Sequence, residues 1–205
     1  MNILIELPSW LGDTVMATPA IESINKYFDD PKITILGSDI SVEVMKYHPN
    51  VVNSIIFKKD LNFIFSQKNF IYKFDSVFSF RSSLRSKIFI ARLKCQKKYS
   101  FNKKKFINLH QVEKYNKFIN ESLGINYEAG DLKIYTRDSK SFKNLLPIVG
   151  INPGATYGSS KRWYPEEFAK VAIRLSNAYD ILIFGGPDEK IIADDIERLL
   201  IKSGV

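Results

Sequence analysis

The sequence predicts an α/β protein built from two Rossmann-like, doubly wound domains. Short apolar runs of strand length alternate with segments whose apolar residues recur at helical spacing, which is the pattern of a parallel sheet covered by helices. This alternation stops in a polar stretch between residues 126 and 146 and then begins again. With 205 residues, 45% of them hydrophobic, the chain has enough apolar surface for a core of ordinary size.

The first predicted domain comprises residues 1–142. Strands are predicted at 2–7, 32–36, 51–57, 75–80 and 97–101, and helices at 14–28, 40–47, 61–68, 82–93 and 110–123. Pro19 falls inside the first helix. Because proline is tolerated only near the start of a helix, we expect the regular part of this helix to begin near Thr18.

The second predicted domain comprises residues 143–205. Strands are predicted at 147–151 and 180–184, and helices at 164–178 and 188–201. A parallel sheet of two strands is too small to bury both of its faces. We therefore expect this domain to be incomplete, and the chain to be a fragment or a shortened version of a longer two-domain protein.

Positive charge is concentrated in one stretch of the chain. Residues 81–117 contain twelve Lys or Arg and a single acid, Glu113, whereas the whole chain has a net charge of +8. A localised cationic surface suits phosphate-rich ligands, an anionic membrane surface or nucleic acid. A solvated surface without a dedicated ligand is the alternative interpretation.

The remaining composition argues against several kinds of site. The apolar runs are shorter than the roughly 20 residues needed to cross a bilayer, and the first strand is too short for a signal-peptide core, so we expect a cytoplasmic location. One cysteine, Cys95, excludes an internal disulfide. The sequence contains no Asp-x-Asp and no His/Cys/Asp cluster with ligand spacing, so we expect no metal. His48 and His110 are interpreted as structural or solvated.

The first candidate site is the turn around Gly12-Asp13-Thr14. This turn follows the first predicted strand and precedes the first predicted helix. It therefore places a carboxylate at the carboxyl end of a strand, where open α/β sheets bind their ligands. Asp13 is a candidate general base. The alternative is a helix N-cap, in which the side chain accepts a hydrogen bond from the next turn.

The second candidate site is the loop from Asn152 to Trp163, which also follows a strand and precedes a helix. Its small residues allow a ligand to approach the backbone closely, and exposed N–H groups can bind phosphate oxygens. Lys161 adds a full positive charge, so the loop fits a diphosphate. It is not a P-loop, because the Gly-Lys-Ser/Thr order is absent. A Gly/Ser-rich surface turn is the alternative.

Together these two loops resemble those of a known family. The segments Pro8-Ser9-Trp10-Leu11-Gly12-Asp13, Asn152-Pro153-Gly154-Ala155 and Gly158-Ser159-Ser160-Lys161-Arg162-Trp163 occur in the order found in the ADP-heptose:lipopolysaccharide heptosyltransferases (glycosyltransferase family 9), especially the heptosyltransferase II branch. Weaker similarities are Ser79-Phe80-Arg81-Ser82-Ser83-Leu84, Val112-Glu113-Lys114-Tyr115 and Phe184-Gly185-Gly186-Pro187-Asp188-Glu189.

The resemblance implies a GT-B fold, with two Rossmann-like domains that bind the acceptor and the nucleotide-sugar respectively. It implies inverting transfer of heptose from ADP-L-glycero-D-manno-heptose to the lipid A–Kdo/heptose inner core of lipopolysaccharide, with no cofactor and no required metal. The location implied is the cytoplasm, at the cytoplasmic face of the inner membrane, where the basic stretch favours peripheral association with the anionic surface. Family members continue beyond the segment corresponding to residue 205, so we expect this chain alone to be inactive or weakly active.

The resemblance also assigns roles to residues. Asp13 matches the catalytic base, and Lys161 matches the lysine that contacts the diphosphate. The predicted donor-binding residues are Gly154, Ala155, Thr156, Ser159, Lys161 and Glu189, and the predicted acceptor-binding residues are Gly12, Thr14, Arg81, Arg85 and Lys87.

Two other functions fit parts of the sequence. The first is a nucleotide-sugar-binding module without transfer activity. The second is a basic nucleic-acid-binding α/β domain, for which four aromatic residues interleave with the charges: Phe89, Tyr99, Phe101 and Phe106. Because the basic stretch contains no helix-turn-helix, RNA-recognition or zinc signature, we expect no nucleic-acid partner.

Overall fold

A computed structural model describes residues 1–57, 73–137, 146–155 and 159–205. The chain forms two compact units, Met1–Ser139 and Lys140–Val205. The helix predicted at 61–68 and the boundary predicted between residues 142 and 143 lie outside the described residues.

The first unit is an open parallel sheet with helices on its faces. Its strands are β1 (Asn2–Glu6), β2 (Lys32–Gly37), β3 (Val51–Ile56), β4 (Phe74–Ser79) and β5 (Cys95–Ser100), in the spatial order β3-β2-β1-β4-β5. Its helices are α1 (Leu11–Phe28), α2 (Asp39–Met45), α3 (Leu84–Arg92) and α4 (Gln111–Leu123). All four strand pairings are parallel. The doubly wound architecture predicted for this part of the chain is confirmed.

Alternate residues of β1 serve two separate cores. Ile3 and Ile5 belong to a cluster that includes Ile21 of α1 and Ile119 of α4. Leu4 belongs to a different cluster, which includes Phe89 of α3. Because successive strand residues point to opposite faces, a strand covered on both faces is apolar at nearly every position. This explains the apolar run Ile3-Leu4-Ile5 in β1.

The first helix begins earlier than the sequence predicted. α1 starts at Leu11 and continues through Pro19, so the expected start near Thr18 is wrong. Proline has no N–H to donate to the carbonyl four residues earlier. The hydroxyl of Thr18 donates to that carbonyl, of Val15, at 2.8 Å, which compensates for the missing bond. The turn containing Asp13 is therefore helical.

The second unit is described from Leu146 onward, apart from residues 156–158. It contains two parallel strands, β6 (Ile148–Ile151) and β7 (Asp180–Ile183), and two helices, α5 (Pro165–Leu175) and α6 (Lys190–Lys202). A small core joins these elements, formed by Ile151, Ala169, Ala172, Ile196 and Leu200. Across the described parts of both units, no helix is long and apolar enough to span a membrane.

Candidate active site

The first candidate site lies in the first unit, where the strand order of its sheet reverses. From β1 the chain builds outward through β2 to β3 and then returns to place β4 on the other side of β1. β1 and β4 are paired in parallel, and Glu6 at the end of β1 lies opposite Ser79 at the end of β4. The loops after both strands therefore leave the sheet side by side. In doubly wound sheets this crevice is where ligands bind.

The loop after β1 is held by hydroxyl groups around it. The carbonyl oxygen of Pro8 accepts a hydrogen bond from Ser41 at 2.6 Å, and that of Ser9 accepts one from Ser38 at 3.2 Å. Thr14 donates from its hydroxyl to the carbonyl oxygen of Trp10 at 2.9 Å. Thr14 is fully buried, so its side chain supports the loop from within and does not face an acceptor directly.

Asp13 lies in the first turn of α1, two residues after the helix begins at Leu11. The N-cap residue is Trp10, so the interpretation of Asp13 as the cap is wrong. A carboxylate in a first helical turn is stabilised by the helix dipole. Gly12 is exposed, and a Cβ atom added there would meet nothing within 4 Å. The carboxylate of Asp13 is partly exposed at the carboxyl edge of the sheet, as its proposed role requires.

Beneath this loop lies a buried carboxylate that the sequence analysis did not identify as functional. Glu6 is fully buried. Its Oε2 accepts a hydrogen bond from the hydroxyl of Ser79 at 2.5 Å and another from Ser86 of α3. Its Oε1 lies 3.9 Å from Nε of Arg81 and accepts no hydrogen bond from the described residues. Glu6 thus joins β1, β4 and α3 and faces the cation of the neighbouring loop.

Two of the predicted acceptor-binding cations are brought together by this arrangement. Arg81 donates from Nε to the carbonyl oxygen of Leu7 at 2.8 Å. The guanidinium carbons of Arg81 and Arg85 lie 5.5 and 4.8 Å from the ring centroid of Phe57. Burial lowers the pKa of Arg81; the charge of Glu6 opposes this shift, and that of Arg85 adds to it. The two guanidinium groups therefore share an aromatic surface beside the Asp13 loop.

Lys87 does not belong to this pair. It lies two residues after Arg85 on α3 and lines a separate cavity of about 600 Å³ with Lys103, Lys104 and Lys114. Its role in acceptor binding stays a prediction.

Tyr115 of α4 is a second residue whose relation to the site the sequence did not reveal. It is buried, and its ring lies 5.2 Å from that of Phe80 between centroids. Burial raises the pKa of Tyr115, and the negative charge of Asp13 raises it further. A hydrogen bond with Gln111 lowers the pKa and so opposes part of this shift. Asp13 is therefore within electrostatic range of a buried, neutral phenol. Helical spacing identified Tyr115 only as a core residue.

A second candidate site lies in the second unit. A Cβ atom added at Gly154 would overlap the carboxyl group of Glu189, so only glycine fits there without displacing the glutamate. Glu189 accepts a hydrogen bond at Oε2 from the backbone N–H of Gly186 at 2.5 Å. The loops after β6 and β7 are thus in contact, which brings together two of the predicted donor-binding residues.

The rest of this loop is fixed by an arginine. Arg162 donates from Nε and Nη2 to the carbonyl oxygen of Ala155, at 3.1 and 2.8 Å. Ser159 and Lys161 form one turn of 3₁₀ helix and are exposed. Lys161 has no salt bridge among the residues that the structure describes, so its charge is available to a ligand. Thr156 lies outside those residues.

A metal site was not expected, and the described parts of the chain contain no group of three or more His, Cys, Asp or Glu that could hold an ion. The chemistry available is that of a partly exposed carboxylate and two guanidinium groups in the first unit. In the second unit it is that of a lysine and a loop of small residues.

Comparison with known proteins assigns the chain to a family. The family described as glycosyltransferase family 9 (heptosyltransferase) matches residues 71–204. The chain belongs to glycosyltransferase family 9. Lipooligosaccharide heptosyltransferase 2 of Campylobacter jejuni (serotype O:2) is 39% identical over all of this chain and 66% of the relative. The enzyme of the same name from Haemophilus ducreyi is 22% identical over 96% of this chain and 66% of the relative.

Solved structures of other glycosyltransferases share the fold. A family 9 glycosyltransferase from Veillonella parvula superposes with a TM-score of 0.76 at 22% identity, over 96% of this chain and 66% of the other. ADP-heptose lps heptosyltransferase II of E. coli superposes with a TM-score of 0.77 at 16% identity, over 98% and 71%. The predicted GT-B fold class is confirmed. The chain spans about 66% of the length of the curated relatives.

Proposed function

We propose that the protein containing this chain is an inverting glycosyltransferase that moves heptose from ADP-L-glycero-D-manno-heptose to the inner core of lipopolysaccharide. The observation that carries the proposal is the position of Asp13 in the first turn of α1, just after β1, where the strand order reverses and where Arg81 of the loop after β4 donates to the carbonyl oxygen of Leu7. The names of the relatives support the choice of acceptor. An E. coli heptosyltransferase of the same fold, solved with ADP-2-deoxy-2-fluoro heptose, supports the choice of donor.

The proposed chemistry is a single displacement. The carboxylate of Asp13 takes the proton of an acceptor hydroxyl while that oxygen forms a bond to the anomeric carbon of heptose. The bond from that carbon to the diphosphate breaks on the opposite face, and ADP leaves with the electron pair. Lys161 and the N–H groups of the Gly154 loop would stabilise the charge that develops on the diphosphate.

The proposed acceptor is anionic and anchored in a membrane. Arg81 and Arg85 would bind its acidic groups, since a guanidinium forms paired hydrogen bonds with carboxylate and phosphate oxygens. Residues 81–117 contain twelve basic residues and one acid, a net charge of +11, which favours binding to the anionic cytoplasmic face of the inner membrane. By this proposal the first unit binds the acceptor and the second unit binds the donor.

Incubation of the protein containing residues 1–205 with ADP-heptose and a deacylated inner-core acceptor tests the proposal. We expect heptosylated acceptor and ADP in equal amounts, with the new glycosidic bond inverted relative to the donor, as read by NMR. Donor binding by calorimetry without any product would instead indicate a nucleotide-sugar-binding module. Binding of neither substrate, with salt-sensitive binding of oligonucleotides, would contradict the proposal outright.

A further inference from the structure

The buried carboxylate of Glu6 has no part in the proposed displacement, yet it lies directly behind Arg81, a predicted acceptor-binding residue. A buried carboxylate is unfavourable unless hydrogen bonds or a counter-charge compensate both of its oxygens. The hydroxyls of Ser79 and Ser86 donate to Oε2. Oε1 accepts no hydrogen bond from the described part of the chain and lies 3.9 Å from Nε of Arg81. The guanidinium is therefore the group that compensates the second oxygen.

Arg81 is held at its backbone as well as at its side chain. Its backbone N–H donates to the hydroxyl oxygen of Ser79 at 3.3 Å, and that hydroxyl donates in turn to Glu6 at 2.5 Å. Its side-chain Nε donates to the carbonyl oxygen of Leu7, the residue after Glu6, at 2.8 Å. The carboxylate thus acts on Arg81 by two routes, through the hydroxyl of Ser79 and through the charge that faces Nε.

These contacts use only one of the three guanidinium nitrogens of Arg81. The two terminal nitrogens form no hydrogen bond with the residues that the structure describes. The side chain is 16% exposed, so a ligand can reach it. The guanidinium carbon lies over the ring of Phe57, 5.5 Å from its centroid, which further restricts the group. The edge formed by the two terminal nitrogens is left for a ligand, and it matches two oxygens of a carboxylate or phosphate.

Stability alone gives little reason for a buried pair of Glu6 and Arg81. Replacing both members of a buried ion pair by apolar residues is often neutral or stabilising, because removing two charges from water costs about as much as their attraction returns. A buried pair can instead specify one geometry for its members. Arginine has many rotamers, and holding one of them in advance reduces the entropy lost when a ligand binds.

We propose that Glu6 is a positioning residue for the acceptor: it holds Arg81 so that the two terminal nitrogens bind one acidic group of the acceptor together. The bound acceptor is thereby anchored in the crevice beside the first turn of α1, which contains Asp13. Glu6 is fully buried and itself touches no substrate. The inference rests on the proposed function, because it takes the crevice after β1 and β4 as the acceptor site.

Acceptor binding by Glu6→Gln, in the protein containing residues 1–205, tests this role. Calorimetry with a deacylated inner-core acceptor measures the affinity, and steady-state transfer gives kcat and the KM of each substrate. The matched control is Asp75→Asn, which neutralises another carboxylate on the same pair of strands. Asp75 of β4 accepts a hydrogen bond from the backbone N–H of Asn2 at 2.7 Å, at the opposite ends of β1 and β4 from Arg81.

We expect Glu6→Gln to weaken acceptor binding and to raise the acceptor KM about tenfold, because a misplaced guanidinium loses its paired hydrogen bonds. The kcat at saturating acceptor and the KM for ADP-heptose should stay within about twofold. Asp75→Asn should leave acceptor affinity unchanged. Glu6→Asp, which keeps the charge but is one methylene shorter, should give a smaller loss of acceptor affinity.

A double-mutant cycle shows whether Glu6 acts through Arg81. In the Arg81→Met background, which already lacks the guanidinium, Glu6→Gln should cause no further loss of acceptor affinity. A general loss of structure would instead weaken the enzyme equally with and without the arginine.

Three results would overturn the inference. Unchanged acceptor affinity in both Glu6→Gln and Glu6→Asp would show that Arg81 needs no such support. A fall in kcat with neither KM changed would indicate loss of folded enzyme alone. A full further loss in the Arg81→Met background would show that Glu6 acts by another route. Where the unmodified protein transfers heptose, these results leave the proposed function intact, whereas absence of both acceptor binding and transfer in the unmodified protein would contradict the proposed function and the inference together.

Discussion

Replacing Glu6 with glutamine tests the buried charge cluster beneath the proposed acceptor site. Glutamine keeps the size of the side chain and one oxygen that can accept from Ser79 and Ser86, but it removes the negative charge that faces Arg81. We expect Glu6→Gln to destabilise the first unit, because a largely buried guanidinium would lose its counter-charge.

The size of the effect follows from the geometry. Two unit charges 3.9 Å apart attract by about 4 kcal/mol at an effective dielectric constant of about 20. Part of this lost attraction is offset, because a neutral amide costs less to bury than a carboxylate and because the side chain of Arg81 is still 16% exposed to solvent. The net loss expected for Glu6→Gln is therefore about 2–3 kcal/mol.

Hydrogen exchange of peptides from β1 and β4, read by mass spectrometry, measures this loss within the first unit. A double-mutant cycle with Arg81→Met isolates the pair, and we expect the combined variant to lose at least about 1 kcal/mol less than the sum of the single losses. A loss below about 0.5 kcal/mol for Glu6→Gln, or strict additivity in the cycle, would refute the electrostatic role of Glu6.

Three further predictions concern the donor loop and a buried histidine. Gly154→Ala should displace the flexible side chain of Glu189 and break its hydrogen bond with the N–H of Gly186, at a cost of about 1 kcal/mol, whereas Gly186→Ala, whose Cβ would lie at an ordinary 3.5 Å, should not; hydrogen exchange distinguishes them. Lys161→Ala should weaken ADP-heptose binding about tenfold in calorimetry, and unchanged affinity would remove it from the donor site. Burial lowers the pKa of His48 from 6.5, so the unfolded chain binds the proton more readily; stability should be full above that value and fall as the pH drops below it. Urea unfolding should show a steeper loss on acidification for the unmodified protein than for His48→Gln, and equal slopes would contradict this.

The sequence predicted the elements of the fold well because their signals are local. β1 was recognisable from its apolar run, and α4 from its helical stripe, since both patterns follow from which faces are covered. The start of α1 was mispredicted, because the compensation at Pro19 depends on a hydroxyl of Thr18 that happens to reach the carbonyl of Val15. Helix propensities of single residues do not account for that hydrogen bond.

The contacts around the site could not be predicted in the same way. Glu6 appeared only as a polar residue at the end of an apolar run, and its bonds to Ser79 and Ser86 join segments more than 70 residues apart. The contact between Gly154 and Glu189 also required the loops after two strands to meet. Thr14 was placed among the acceptor-binding residues by its neighbours in sequence, yet the helix turns its side chain inward.

The identity of the base is the central claim, and the transfer rate of Asp13→Ala tests it most directly. The control is Asp39→Ala, which removes an exposed carboxylate from the first turn of α2 at the same edge of the sheet. With the protein containing residues 1–205, we predict that Asp13→Ala lowers turnover about a hundredfold or more, with ADP-heptose affinity nearly unchanged and the control fully active. Turnover in Asp13→Ala comparable to that of the unmodified protein would contradict the account.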